Sequence, residues 1–167
     1  MVCHPPVKIN LGLNVLRKRP DGFHDLETLF IQSGQFRDSL EVIKADDWSR
    51  SLANLSTLYP PECIAQDISP DGKLMITVAR REGVDWPVLK DLCAKAYFLL
   101  DGDFGLPPVK IYLEKKSPVG AGLGGGSADA AYCLKMLNEL CGLGLEREQL
   151  LPYAARLGSD CALFLYD

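Results

Sequence analysis

Five glycines in seven residues, Gly120 to Gly126, precede a helix-forming run in the stretch KKSPVGAGLGGGSADAAYCLKMLNEL from Lys115 to Leu140. Without Cβ atoms the backbone can take positive φ and bring its N–H groups close to a ligand. A helix starting near Ser127 aims the positive end of its dipole at the same point. The chemistry this pattern suits is the holding of an anion, a phosphate first of all. Gly120, Gly122 and Gly125 also satisfy the dinucleotide fingerprint G-x-G-x-x-G. The acidic residue expected about 20 positions later is met only by Glu139, inside the predicted helix, and no G-K-[ST] follows the glycines. Ser127 reads equally as an N-cap, which is compatible with a bound anion. A flexible linker fits poorly with the Ala-rich amphipathic helix that follows at once.

Two further places carry chemistry-bearing residues. Val7, Ile9, Leu11, Leu13 and Val15 alternate with Lys8, Asn10, Gly12 and Asn14, which predicts a strand with its apolar face in the core. Lys8 and Asn10 then project together, about 7 Å apart along the strand. A solvent-facing polar stripe accounts for the same pattern. Asp160 follows Gly158 and Ser159, between a predicted helix exit and a predicted strand entry, where a carboxylate is partly desolvated. It reads equally as a turn cap.

The elements that position these residues are legible in outline. Val109, Ile111 and Leu113 alternate with Lys110, Tyr112 and Glu114 as a strand feeding the glycine loop. Ala130, Cys133, Leu134, Leu137 and Cys141 mark the buried face of the helix after it. Arg17 to His24, RKRPDGFH, is a tight turn in which Pro20 fixes φ and Asp21-Gly22 reverses the chain. Phe23 and His24 head the next strand; ring stacking on a ligand and ordinary packing are both open to them. A short strand is expected over Ser39 to Ala45, and an irregular insertion over 46–69, where periodicity is lost around Tyr59-Pro60-Pro61. A strand from Lys73 to Ala79 and a helix over Leu89 to Leu100, closed by Asp101-Gly102, come next. Glu146 to Leu157 reads as a helix delayed or kinked by Pro152 and closed by Gly158, and CALFLY as a buried strand.

The length of 167 residues suits one domain, and 47% apolar with 24% charged residues is the balance of a soluble globule. A net charge of −4 gives no electrostatic reason to expect nucleic acid or a membrane surface as partner. The six cysteines form no C-x-x-C pair, and the two histidines lack ligand spacing, so buried thiols in a reducing cytoplasm are expected rather than disulfides or zinc. No apolar run is long enough to span a bilayer.

K-I-N-L-G-L-N-V, R-P-D-G-F-H, P-V-G-A-G-L-G-G-G-S-A and L-G-S-D, in that order, resemble the small-molecule kinases named for galactokinase, homoserine kinase, mevalonate kinase and phosphomevalonate kinase, the GHMP superfamily. The first two motifs resemble in particular the branch that acts on 4-diphosphocytidyl-2-C-methyl-D-erythritol. The resemblance covers about residues 5–167. It implies an α+β fold like the second domain of ribosomal protein S5, a mixed, mostly antiparallel sheet with helices on one side and a left-handed βαβ unit. It also implies that ATP and magnesium are bound and that a small alcohol is the phosphoryl acceptor. Pro118, Val119, Gly120, Ala121, Gly122, Leu123, Gly124, Gly125, Gly126, Ser127 and Ala128 would wrap the ATP phosphates, with Ser127 near the metal. Asp160 would be the base and Lys8 would orient the acceptor hydroxyl, while Asn10, Phe23 and His24 would bind the substrate, the last two around its cytosine ring. Val7, Phe23 and Asp91 depart from the commoner small residue, Tyr and Asn of that pattern. The resemblance further implies that residues 1–167 are the amino-terminal domain, without the carboxy-terminal domain of such kinases, and that this part alone is a poor catalyst or none.

Overall fold

The computed structural model of the protein describes residues 1–166. Strands β1 (Val2–Cys3), β2 (Val7–Lys18), β3 (His24–Ser33) and β4 (Ser39–Lys44) are followed by helix α1 (Ser51–Leu58), then by β5 (Ile64–Ile68) and β6 (Leu74–Arg80). Helix α2 (Leu92–Phe104), strand β7 (Val109–Lys115) and helices α3 (Gly125–Leu140) and α4 (Arg147–Leu157) complete the order, with a short 3-10 helix over Cys161–Leu165. The five-stranded sheet runs β1-β4-β7-β6-β5. Its β6–β7 pair is parallel and joined through α2, while the other neighbours are antiparallel. The α+β architecture is therefore the expected one.

One face of the sheet, through Leu40, Val42, Ile76, Val78, Ile111 and Leu113, packs on α2 and α3. The predicted stripe on α3 is fully buried at Ala130, Cys133, Leu134 and Leu137. The other face is covered by α1, where Leu55 meets Ile43, Ala79 and Tyr112. Residues 46–69 are thus not an irregular insertion: they form α1 and β5, and β5 pairs with β6. The cause is distant in sequence. Glu41, buried on β4, accepts hydrogen bonds from Ser49 Oγ (2.6 Å), Arg50 N (3.0 Å) and Ser51 N (3.0 Å), satisfying the first amides of α1 from another element.

Other boundaries differ for local reasons. Helix α2 passes through Asp101-Gly102, where Asp101 pairs with Lys73, and stops at Gly105, whose φ of 63° supplies the left-handed cap. Helix α4 begins at a Glu146/Gln149 capping box and runs through Pro152 to Gly158. CALFLY is the 3-10 helix rather than a strand, with Cys161, Phe164 and Leu165 in the helical core; a short apolar run does not by itself distinguish the two. All six cysteines are free, and burial pushes the Cys3 thiol up to about 12. Among the described residues no helix is long and apolar enough to cross a membrane.

The largest correction concerns β2. It is a strand and pairs with β3, but as a separate two-stranded sheet whose apolar residues are exposed beyond Val7. Nor do those residues share one face. Gly12, at φ 64°, is a bulge, so that Leu11 pairs with Leu29 but Leu13 pairs with Thr28. Since β3 alternates without interruption there, Leu13 and Val15 lie on the face of Lys8 and Asn10, while Ile9 and Leu11 lie opposite.

Candidate active site

The loop between β7 and α3 is built from glycines in the left-handed region: Gly120, Gly122 and Gly124 have φ of 74°, 73° and 69°. Helix α3 begins at Gly125 with Gly124 as N-cap, two residues earlier than expected, so Ser127 stands inside the first turn and no side chain caps the helix. From Gly122 to Ser127 no backbone N–H has a protein acceptor among the described residues. These donors line a cavity of about 660 Å³ together with Pro118 to Ala121, Lys8, Trp86, Asp91 and Asp160. Ala128 is buried behind the cavity wall, its N–H bonded to Gly124 O.

Strand β2 is fastened to this loop by its backbone, Lys8 N donating to Leu123 O at 2.8 Å. The Lys8 side chain lies along the glycines. A Cβ on Gly124 would come within 3.0 Å of Lys8 Cγ, so a bare backbone is what admits it. Lys8 Nζ donates to Asn10 Oδ1 at 2.6 Å, stands 5.3 Å from the centre of the Phe30 ring, and reaches Asp160 Oδ2 at 3.3 Å. Asn10 is held in turn, its Nδ2 donating to Thr28 Oγ1 at 3.2 Å. The lysine is almost buried while the Asp160 carboxylate is about one-third open to solvent. Ser127 Oγ lies beside the turn that leads to Asp160, 3.7 Å from where a Gly158 Cβ would stand. A cation, a carboxylate and a row of unengaged amides therefore converge on one cavity, which is the equipment for moving a phosphoryl group between oxygens.

Residues 88–167 match the family model described as the GHMP kinases N terminal domain. A Bacteroides fragilis protein named 4-diphosphocytidyl-2-C-methyl-D-erythritol kinase is 45% identical over 166 residues, and the Parabacteroides distasonis protein of that name 40% identical over 165. Each alignment takes in 99% of this chain, against 52% and 51% of the relative. A crystal structure of 4-(cytidine 5'-diphospho)-2C-methyl-D-erythritol kinase superposes with a TM-score of 0.64 at 31% identity, covering 99% of this chain and 49% of that one.

The chain is similar to the GHMP kinases over nearly its whole length.

It spans about half the length of the relatives it matches. A homoserine kinase structure from Cytophaga hutchinsonii, at 18% identity and a TM-score of 0.57, shares the fold.

Of the residues singled out in the sequence, Lys8, Asn10, Asp160 and the glycine loop come together. Phe23 and His24 do not. They are exposed at the far end of the hairpin, where His24 pairs with Lys18, ten residues up the ladder from Lys8, and neither lines the cavity. Asp91 has a structural role, capping α2 by accepting from Cys93 N at 2.9 Å while its other oxygen accepts from Trp86 Nε1 at 3.1 Å. Both its oxygens are thus engaged by donors of the protein, although the residue also lines the cavity.

Reading by spacing misses a buried cluster under the loop. Lys115 Nζ donates to Asp38 Oδ2, to Asp129 Oδ2 at 2.6 Å and to Ser117 Oγ at 3.3 Å. Asp38 also accepts from Lys116 N (2.6 Å), Ser117 N (2.7 Å) and Ser117 Oγ (2.7 Å). Burial pushes the Asp38 carboxyl up, but Lys115 and the Ser117 hydrogen bonds outweigh it and hold it below its usual range. Burial dominates at Asp129 and holds that carboxyl well above its usual range despite Lys115. One ammonium faces two carboxylates, and among the described residues Asp129 Oδ1 has no partner, so the cluster compensates Asp129 less fully than Asp38. Asp38 and Lys115 are 77 residues apart, so no local pattern pairs them.

Proposed function

We propose that this chain is the nucleotide-binding part of an ATP-dependent kinase that phosphorylates the 2-hydroxyl of 4-diphosphocytidyl-2-C-methyl-D-erythritol, a step toward isoprenoids by the non-mevalonate route. The observation that carries the reading is the Lys8–Asp160 contact of 3.3 Å beside the unengaged amides of Gly122 to Ser127. The names of the relatives point to the acceptor.

In this reading the loop amides and the α3 N-terminus hold the ATP phosphates. Asp160 accepts the proton of the acceptor hydroxyl as the oxygen attacks the γ-phosphorus and the bond from that phosphorus to the β,γ-bridging oxygen breaks, ADP leaving. Lys8 keeps a donor over after serving Asn10 and Asp160, and with it orients that oxygen and offsets developing negative charge. Asn10 fixes the Lys8 ammonium. The donor set suits magnesium held chiefly by phosphate oxygens: Ser127 supplies a hydroxyl, and no group of three His, Cys, Asp or Glu able to hold a metal stands among the described residues. When bound, magnesium neutralises phosphate charge.

Incubating the full-length polypeptide with this diphosphocytidyl alcohol and γ-labelled ATP is expected to move label to the alcohol; no transfer ends the reading. Phe23 and His24 stand outside the cavity, so this acceptor would have to run along the β2–β3 hairpin to its tip; on that path Phe23→Ala and His24→Ala are each expected to weaken binding of a cytidine nucleotide about tenfold, the loss of one base-stacking or hydrogen-bonding contact. Unchanged cytidine affinity in both variants favours a different acceptor alcohol. The placement of Phe23 and His24 outside the cavity favours a second reading for the 167-residue chain by itself, a nucleotide-binding module without turnover. Thermal stabilisation by Mg-ATP with no label transfer supports that one.

A further inference from the structure

The Asp38–Lys115–Asp129 cluster takes no part in the chemistry above, yet it joins the three elements that frame the loop: Asp38 leads into β4, Lys115 ends β7, and Asp129 lies in α3. Lys115 lines the nucleotide cavity, where a lysine at the mouth of a glycine loop invites assignment to phosphate. Its ammonium is already committed to Asp38, Asp129 and Ser117, and the residue is only 6% exposed. An ammonium has three donors, so nothing remains for a ligand.

We infer that Lys115 and Asp38 are positioning residues for the phosphate cradle, clamping the two ends of the loop at the spacing that makes its amides converge on one anion. Asp38 takes the first two amides of the loop, at Lys116 and Ser117, and so sets the direction in which the chain leaves β7. Lys115 bridges from there to Asp129, past the loop, and ties the point of departure to the helix on which the loop lands. The neck is closed tightly, since Ser117 Oγ lies where a Cβ on Gly125 would stand. Between these fixed ends runs a glycine-rich segment with little side-chain packing to hold its shape. Replacing a buried ion pair by apolar side chains is often neutral for stability, so what such a cluster contributes here is geometry. The inference rests on the nucleotide reading of the loop.

The test compares Lys115→Met, Asp38→Asn and Asp129→Asn in the full-length polypeptide. The readouts are Mg-ATP affinity well below the melting transition, the KM of the acceptor alcohol, and backbone 15N order parameters over Gly120 to Gly126. Lys115→Met and Asp38→Asn are expected to weaken Mg-ATP at least tenfold and to lower the loop order parameters, with the acceptor KM within twofold. Asp129→Asn keeps an acceptor for Lys115 at the same place, so it is expected to retain affinity and loop order. A merely structural cluster would lower the melting temperature of Lys115→Met and leave the affinity and loop order of the folded protein at wild-type values, and that result overturns the inference. If Lys115→Met does not fold, Asp38→Asn decides by the same criteria. If the wild-type protein binds no Mg-ATP, the nucleotide reading fails; unchanged loop order in the variants then refutes the clamp separately.

Discussion

Asp160→Asn is expected to lower kcat by about a thousandfold while leaving the affinity for Mg-ATP near wild type. Asparagine preserves the shape and still offers Lys8 an oxygen, but it does not take up a proton, and general-base catalysis contributes roughly 10²–10⁴ in rate. The carboxylate stands 3.3 Å from an almost buried lysine, so in the proposed reaction both reach the same oxygen of the acceptor. Lys8→Met is therefore expected to fall to a similar level, and the double variant little further, because residues that work as a unit are not additive. Steady-state kinetics of the three variants check this. A kcat within tenfold of wild type for Asp160→Asn removes Asp160 from the chemistry.

Gly125→Ala is expected to lower both stability and nucleotide affinity, against the usual direction for a helical glycine. Gly→Ala inside a helix ordinarily adds about 1 kcal/mol. Here the new Cβ would stand 2.3 Å from Ser117 Oγ and 3.2 Å from Ser117 Cβ. Ser117 has little freedom to yield, because its N–H and hydroxyl are both bound to the buried Asp38. Overpacking of this kind costs about 1–3 kcal/mol, and relief comes only by moving the start of the phosphate loop. Gly126→Ala is the contrast. Its nearest neighbour would be Leu92 Cδ1 at 3.7 Å, ordinary contact, so the helical gain is expected to survive. Thermal melts and Mg-ATP titrations of the two variants check the pair. A Gly125→Ala protein that melts above wild type with unchanged affinity contradicts the packing described for the loop neck.

The parts of the site that are legible in the sequence are those whose meaning is local. The glycine run declares its own backbone freedom, the stripe on α3 declares its buried face, and Lys8 and Asn10 share a strand face because side chains repeat every two residues. What is not legible depends on partners far along the chain. Helix α1 forms where periodicity is lost, because Glu41 on β4 receives its first amides. The Asp38–Lys115 pair bridges elements 77 residues apart in the sequence. The apolar alternation of β2 predicts a single core face, but the bulge at Gly12 divides it, and the hairpin stands apart from the five-stranded sheet. Asp160 lies at an element boundary, where the helix-to-strand pattern puts it, although the apolar run after it coils as a 3-10 helix instead of extending.

The central claim is that the backbone amides from Gly122 to Ser127 hold phosphate beside Lys8 and Asp160. Titrating the 15N-labelled protein with Mg-ADP and following its backbone amide resonances tests it most directly. The resonances of Gly122 to Ser127 are expected to shift together along one saturating curve, with the Lys8 amide, bonded to Leu123 O, moving with them. Nucleotide saturation that leaves those amides in place, or shifts centred on another surface, contradicts the claim.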